Sequence, residues 1–192
     1  MITLKQYLKK EFQLMDGEIQ EITSYFYESS LKKNSFFLKA GSRCDQVAFL
    51  KSGVMRNYYI DPKGNEIINY MTNDGDFNTV YNSFVERVIC QENIQAVTDC
   101  HIHVINHQDF FLLKEKSAVF REIIDRLVVA GLACKEQRLR SYLHEDAQKR
   151  YENLLDQQPK IVQHSPMQYI ASYLGITRET LSRIRNRRPE SV

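Results

Sequence analysis

Apolar positions early in the chain recur at helical spacing. Ile19, Ile22 and Phe26 follow Asp16, a residue suited to capping, and residues 1–30 are expected to be helical. From about residue 31 to residue 107 the period changes. Short runs rich in Val, Ile, Tyr and Phe alternate with the turn clusters KAGSR, KSG, DPKGN and NDGD. Closely spaced strands of this kind predict a compact β-barrel or jelly roll. VMRNYYI and EIINYM flank Asp61–Asn65, where Pro62 fixes one turn dihedral and Gly64 supplies another, so the two runs should form a hairpin. Residues 108–143 return to helical spacing. Ile123, Leu127, Ala130 and Cys134 stand four, three and four residues apart, a seam that suits a partner helix or the chain's own barrel. Residues 146–158 form another expected helix, with Ala147, Tyr151, Leu154 and Leu155 on one side and Pro159 beyond its end.

The stretch YIASYLGITRETLSRIRNRR, residues 169–188, carries the most specific pattern. Ser165, Pro166 and Gln168 together read as a helix start, with Ser165 as cap. The first helix would bury Ile170, Ala171 and Leu174, with the small Ala171 where two helices cross closely. Gly175 permits the turn, and Thr177 caps a second helix that buries Leu181 and Ile184. These positions, with Ile176, match a helix-turn-helix. The opposite face of the second helix carries Glu179, Ser182, Arg183 and Asn186, with Arg178 on the flank. Arginine can donate twice to guanine and glutamate can accept from the amino group of cytosine, so this face suits base edges in a major groove. Thr177, Thr180 and the free N–H groups of the first turn suit phosphates, and Arg185, Arg187 and Arg188 add attraction that is independent of sequence.

Composition sharpens this picture at one point, the placement of charge. The 192 residues are 43% hydrophobic and carry a net charge of only +2. Residues 160–192 hold six Lys or Arg and two Glu, which is +4, so the remainder carries −2. A basic end on a mildly acidic body implies a polyanionic partner for that end alone. Cys44, Cys90, Cys100 and Cys134 show neither a CxxC pair nor metal-ligand spacing, and read as free buried thiols of a reducing compartment. The polar start MITLKQYLKKEF is no signal peptide and no run approaches membrane-spanning length, so a soluble cytoplasmic protein without membrane contact is expected.

A metal-dependent enzyme of the cupin kind is the catalytic alternative, because His101 and His103 alternate along one expected strand with His107 and Asp109 close behind. No glycine-flanked cupin motif surrounds them, and no metal or cofactor is expected. Glu145 and Asp146 read as a solvated helix face, and Tyr58 and Tyr59 as barrel packing. A further alternative is a ligand-sensing module whose helical end does not bind DNA.

Nearly the whole chain resembles the Crp/Fnr transcription regulators, particularly the short, divergent members common in Bacteroidetes. FFLKAGSRCDQVAFLKSGVMRNYYIDPKGNEIINYMTNDGDF is similar to the cyclic-nucleotide-binding β-roll, and AQKRYENLLDQQPKIVQHSPMQYIASYLGITRETLSRIR to the DNA-binding end. The family's base-reading pattern falls on Arg178, Glu179 and Arg183. The resemblance implies an α+β chain: a sensor domain over residues 1–116 built on a β-roll or jelly roll, a dimerisation helix over 117–143, and a winged-type helix-turn-helix over 144–192. It implies a non-enzymatic homodimer on a palindromic site in double-stranded DNA, with Ile123, Leu127, Ala130 and Cys134 between the protomers. RNA polymerase is an implied partner, and the β-roll an implied site for a small-molecule effector. Two departures bear on this. Members that bind cyclic AMP carry Phe-Gly-Glu and then an Arg-Ser/Thr pair; here Phe77 is followed by Asn78 and Thr79, and the pair falls on Cys90 and Gln91. A buried cyclic phosphate needs a cation and close N–H donors, so control by cyclic AMP is not expected, although Arg87 is near in sequence. Four residues after Arg188 leave no room for the usual wing, so a truncated wing is expected.

Overall fold

A computed structural model describes residues 1–187. Two short helices open the chain, α1 (Leu4–Phe12) and α2 (Asp16–Ser24). Thr3 caps α1 in a reciprocal box with Gln6. Asp16 is the first helical residue of α2 and Met15 the cap, which corrects the expected cap by one position. Residues 27–31 are also not helical. They form β1 (Tyr27–Leu31), a mostly polar edge strand paired with β8 (Cys100–Asn106) from Tyr27↔Val104 to Leu31↔Cys100. Its sequence, YESSL, has no apolar alternation, because an edge strand facing solvent needs none.

The remaining strands are β2 (Phe36–Leu38), β3 (Gln46–Ser52), β4 (Met55–Ile60), β5 (Glu66–Thr72), β6 (Phe77–Asn78) and β7 (Asn93–Ala96), with helix α3 (Tyr81–Glu86) between β6 and β7. They build two four-stranded antiparallel sheets, ordered β1-β8-β3-β6 and β2-β7-β4-β5. The turn spacing predicts closely packed antiparallel strands of this kind, and the β-roll is the form the family resemblance implies. The β4–β5 hairpin closes where expected: the Asp61 N–H donates to the Asn65 carbonyl, and the Asp61 carboxylate accepts from the backbone N–H groups of Lys63 and Asn65. Phe49, Leu50, Met55, Ile94 and Ile105 fill the space between the sheets, and Leu4, Leu8, Ile19 and Ile22 of the opening helices join the same core. Tyr7 of α1 packs on Phe49 and Phe77 with ring centroids 5.2 and 5.6 Å away.

Two helices follow the roll, α4 (His107–Lys116) and the 27-residue α5 (Ala118–His144). Ser117 separates them, and its hydroxyl accepts from the Phe120 N–H to start α5. Four short helices complete the described chain: α6 (Ala147–Gln157), α7 (Pro159–His164), α8 (Met167–Leu174) and α9 (Arg178–Arg187). Asp146 caps α6 by accepting from the Lys149 N–H. Pro159 lies past α6, as expected, and serves as the first residue of α7. Ser165 does not cap α8. The helix starts after Pro166, and the buried Ser165 hydroxyl has no partner among the described residues.

These four helices enclose a second core of Tyr151, Leu154, Val162, Ile170, Ala171, Leu174, Leu181 and Ile184. They also dock on the roll. Val54, Tyr58, Ile68, Met71 and Val97 of the outer sheet face are buried with Ile161 of α7, flanked by Tyr169 and Tyr173 of α8. Each such side chain, fully buried, contributes about 1.5–3 kcal/mol. β5 is a sheet edge, and its peptide groups would be open to further pairing. Here α8 and α5 occupy them. The Ser172 hydroxyl accepts from Ile68 N–H at 3.0 Å and donates to the Glu66 carbonyl at 3.0 Å. Arg138 donates to the carbonyls of Asn69, Ile68 and Tyr173. Beneath this contact Arg56, only 2% exposed, donates to both Glu66 carboxylate oxygens and to Gln95, its guanidinium between the rings of Tyr58 and Tyr169 at 4.1 and 3.8 Å.

Candidate functional site

Helices α8 and α9 are joined at Gly175, which has φ = 66°, a left-handed value that side chains with a Cβ avoid. A Cβ there would also lie 2.9 Å from Tyr142 Cε1 on α5. The Gly175 and Ile176 N–H groups donate to the carbonyls of Ser172 and Ala171, closing the turn. Ala171 is 2% exposed at the crossing, and Leu181 and Ile184 point into the helical core.

Thr177 starts α9: its hydroxyl oxygen accepts from the Thr180 N–H at 3.2 Å and lies 3.1 Å from the Thr180 hydroxyl. With the buried side fixed by Leu181 and Ile184, Arg178, Glu179, Arg183 and Asn186 are exposed together and Ser182 is half-buried beside them. Arg183 lies back along the helix, donating to the Glu179 carbonyl and the Thr180 hydroxyl, both at 3.4 Å. Hydrogen bonds from its own backbone N–H and from Thr177, with Arg178 and Arg183 close by, hold the Glu179 carboxyl below the usual range. Glu179 is therefore an ionised acceptor beside guanidinium donors, and Thr180 and the unused N–H groups of the first turn lie at the end of the helix that attracts anions. The side chain of Arg187 and all of Arg188 fall outside the described residues.

The expected dimer seam divides. Ile123 is 3% exposed inside the core of the roll and Leu127 packs on that core, whereas Ala130 and Cys134 are exposed. Cys134 thus corrects the expectation of four buried thiols; Cys44, Cys90 and Cys100 are buried. Sequence reasoning missed the other side of α5. Val129, Leu132, Leu139 and Leu143 are each at least 60% exposed, at spacings of three, seven and four. Glu136 fills the intervening position, which completes a three-four repeat. The signal was present, but a sequence carrying two apolar stripes does not say which of them the chain's own body covers.

The roll, α3, α5 and the α8–α9 turn surround a cavity of about 1020 Å³. Of the residues that depart from the cyclic-AMP pattern, Thr79 lines it. Asn78, 1% exposed, donates its side-chain amide to Asn57 Oδ1 and Thr72 Oγ1 at 2.8 and 2.9 Å, so a side chain fills the position where the resemblance puts a glycine. Cys90 is buried with its thiol against the carbonyls of Lys39 and Glu92, and burial pushes that thiol up. Arg87 provides no substitute cation, because its guanidinium pairs with Asp45 at 2.5 Å and donates to the Cys44 carbonyl.

The cupin residues are not gathered into a site. His101 is exposed; His103 is half-buried near Phe49 and 3.9 Å from Glu28. His107 starts α4 and packs on Phe84 and Phe111, and Asp109 bonds Asn106. Among the described residues no three His, Cys, Asp or Glu side chains cluster in a way that could hold a metal ion. Nor is any described helix long and apolar enough to cross a membrane.

Residues 28–117 match the family model of the cyclic nucleotide-binding domain. No curated protein sequence matches the chain. Solved structures do. FixK2 from Bradyrhizobium japonicum superposes with a TM-score of 0.72 at 16% identity, over 84% of this chain and 83% of that one. A protein described as a transcriptional regulator of the Crp/Fnr family, from Eubacterium rectale, gives 0.70 at 20% identity over 93% and 85%. CLP, the c-di-GMP-responsive global regulator of Xanthomonas campestris, gives 0.69 at 15% identity over 90% of each chain. At such identities the likeness is one of fold. The chain therefore contains a cyclic-nucleotide-binding-type domain and has, over nearly its full length, the fold of Crp/Fnr-type regulators.

Proposed function

We propose that the protein is a sequence-specific DNA-binding transcription regulator of the Crp/Fnr type, acting in the cytoplasm as a homodimer and without a catalytic step. The observation that carries this reading is the exposed face of α9. It holds Arg178, Glu179, Arg183 and Asn186 outward on a helix whose other side is anchored by Leu181 and Ile184. An Arg and a Glu so presented match the donor and acceptor pattern of base edges in a major groove. Residues 144–192 form the DNA-binding unit, residues 117–143 the dimerisation helix, and residues 1–116 the sensor domain.

The dimer forms on the outer face of α5, through Val129, Leu132, Leu139 and Leu143, with a second copy of the same helix as occupant. A three-four repeat that is apolar at four of its five positions, on a 27-residue helix, is self-complementary, and two-fold pairing places two α9 helices on the two halves of a palindrome. Cyclic AMP is not the effector, since Cys90 and Asn78 occupy the positions that would supply a cation and backbone approach. The test is a titration of wild type and Arg183→Ala against a preferred duplex and a scrambled one. Arg183→Ala should lose about 1–3 kcal/mol on the preferred site alone and relax choice at one base pair per half-site. Equal loss on both duplexes would remove Arg183 from base reading.

A further inference from the structure

The exposed three-four repeat of α5 extends beyond its apolar part. Glu122 and Asp125 precede Val129, Leu132, Glu136, Leu139 and Leu143 at spacings of three and four in strict alternation, and all are exposed. Each of the three acids has a base as its neighbour in the chain: Arg121 before Glu122, Arg126 after Asp125 and Lys135 before Glu136. With Val129 at heptad position a, Glu122 and Glu136 also fall at a and Asp125 at d. Arg121 and Lys135 then fall at the flanking position g, and Arg126 at the other flank, e. Consecutive residues of a helix point about 100° apart and do not face each other, so the two members of each acid–base neighbour pair do not meet within one chain.

Among the described residues, Arg121, Glu122, Asp125, Arg126 and Lys135 make no ion pair. Glu122 and Arg126 stand four apart, as do Arg121 and Asp125, the spacing at which a helix pairs charges. Both arginines turn instead to neutral groups. Arg121 donates to the carbonyls of Lys114 and Glu115, and Arg126 to that of Glu11, with its guanidinium 4.6 Å from the Phe12 ring. Glu136 accepts from Arg140 at 3.2 Å, both side chains well exposed. A shallow groove lined by Glu122, Asp125, Val129 and the small Ala130 and Ala133 runs along this end of the helix.

A second copy of α5 supplies the missing counter-charges. In a parallel, in-register pair, a side chain at a packs beside the partner's preceding g residue, and one at d beside the partner's following e residue. Glu122 then meets the partner's Arg121, Asp125 the partner's Arg126 and Glu136 the partner's Lys135, and the two-fold axis repeats each contact. An antiparallel pair centred on Glu136 sets Leu132 against the partner's Leu139, but it carries Glu122 and Asp125 past the partner's His144, where α5 ends. Parallel pairing therefore compensates all three acids, and it also brings the two sets of α6–α9 to one end of the pair.

We infer that Glu122, Asp125 and Glu136, with Arg121, Arg126 and Lys135 of a second copy, form the ion pairs that make α5 select its own kind, parallel and in register. The inference rests on the homodimer reading above and deepens it: the apolar positions supply the attraction, and the charges choose partner and direction.

The experiment is sedimentation equilibrium of the full chain, without DNA, at low and high salt. Glu122→Gln, Asp125→Asn and Glu136→Gln together remove the acidic charges and keep the side-chain shapes. This triple variant should weaken the dimer about tenfold at low salt and less at high salt. Acids that only repelled their copies across the axis would give the opposite sign, so a tighter dimer, or an unchanged one, overturns the inference. Arg121→Gln, Arg126→Gln and Lys135→Gln should weaken the dimer as well, and all six changes together should cost less than the two triples summed, because the groups act as pairs. Strict additivity would contradict the pairing. Should the basic triple fail to fold, since Arg126 touches α1, the exposed acids still decide. In a Cys134→Ser background, Leu132→Cys should cross-link two copies on oxidation with diamide, and a dimeric variant that does not cross-link overturns the parallel register. A wild-type protein that stays monomeric removes the homodimer reading itself, whereas a wild-type dimer tightened by loss of the acids removes the charge pairing alone.

Discussion

At the scale of the residue, the chemistry turns on a few side chains that replace what a cyclic-nucleotide site would need. Cys90 and Asn78 were legible in the sequence as departures, because the positions the resemblance implies can be counted along the chain. What they do instead was not legible. Asn78 bridges Asn57 and Thr72 across a bulge-bearing hairpin, and Cys90 bonds carbonyls 51 and 2 residues away, pairings that only the closed roll creates. Asp76 is a second residue whose role lies in packing. Burial pushes its carboxyl up to about 6, with the Asp74 carboxylate adding to the rise and the Asn73 N–H opposing it. The folded protein then holds a proton that the unfolded chain has released between pH 4 and 6. Stability from this group is full below about pH 4 and falls as pH rises through 6. Asp76→Asn should abolish that fall, worth roughly 2–3 kcal/mol, in urea denaturation followed from pH 4 to 7. A wild-type profile that rises over the same range, or an identical profile in the variant, would contradict it.

At the scale of the element, the helix pair α8 and α9 was the easiest part to read. Its small, glycine and apolar positions are local and closely spaced, so sequence separation hides nothing. Strand β1 and the two faces of α5 were harder for the same physical reason: their burial is decided by distant partners. YESSL is a strand because β8 offers it a ladder, and Ile123 is core because the roll covers it. The apolar face left outside, Val129, Leu132, Leu139 and Leu143, gives a direct expectation. Leu132→Asp with Leu139→Asp should convert a dimer to a monomer in sedimentation equilibrium, whereas Cys134→Ser should not. Arg138 ties three elements together, since its loss strands the carbonyls of Ile68, Asn69 and Tyr173. Arg138→Ala should weaken the docking of α8 on β5 by about 1–3 kcal/mol. Faster hydrogen exchange at the Ile68 amide, which donates to Ser172, would report it, and unchanged exchange there would refute the role.

At the scale of the whole molecule, charge and architecture act together. The +4 of residues 160–192 sits on the domain that bears α9, while the rest of the chain carries −2. Under the proposed reading, attraction to phosphate is confined to one end. Arg187→Ala should weaken binding to specific and random duplexes alike and reduce the steepness of the salt dependence, by about one unit of slope per lost phosphate contact. The docking of α7 and α8 on the outer face of the roll, with Lys160 paired to Asp74 at 2.5 Å, couples that end to the roll. The linker between α5 and α6 is itself bonded, Arg150 donating to the Glu145 carbonyl and Asn153 to the Glu145 carboxylate. Motion of α9 relative to the roll must break these named contacts.

The measurement that tests the central claim most directly is selection of bound duplexes from a random-sequence pool by the full-length protein, followed by sequencing. A dimer reading DNA through Arg178, Glu179 and Arg183 should enrich a two-fold symmetric site with half-sites about one helical turn apart, and Arg183→Ala should blur one base pair in each half. A pool that returns without enrichment, or enriched for a single asymmetric site that Arg183→Ala leaves unchanged, would contradict it.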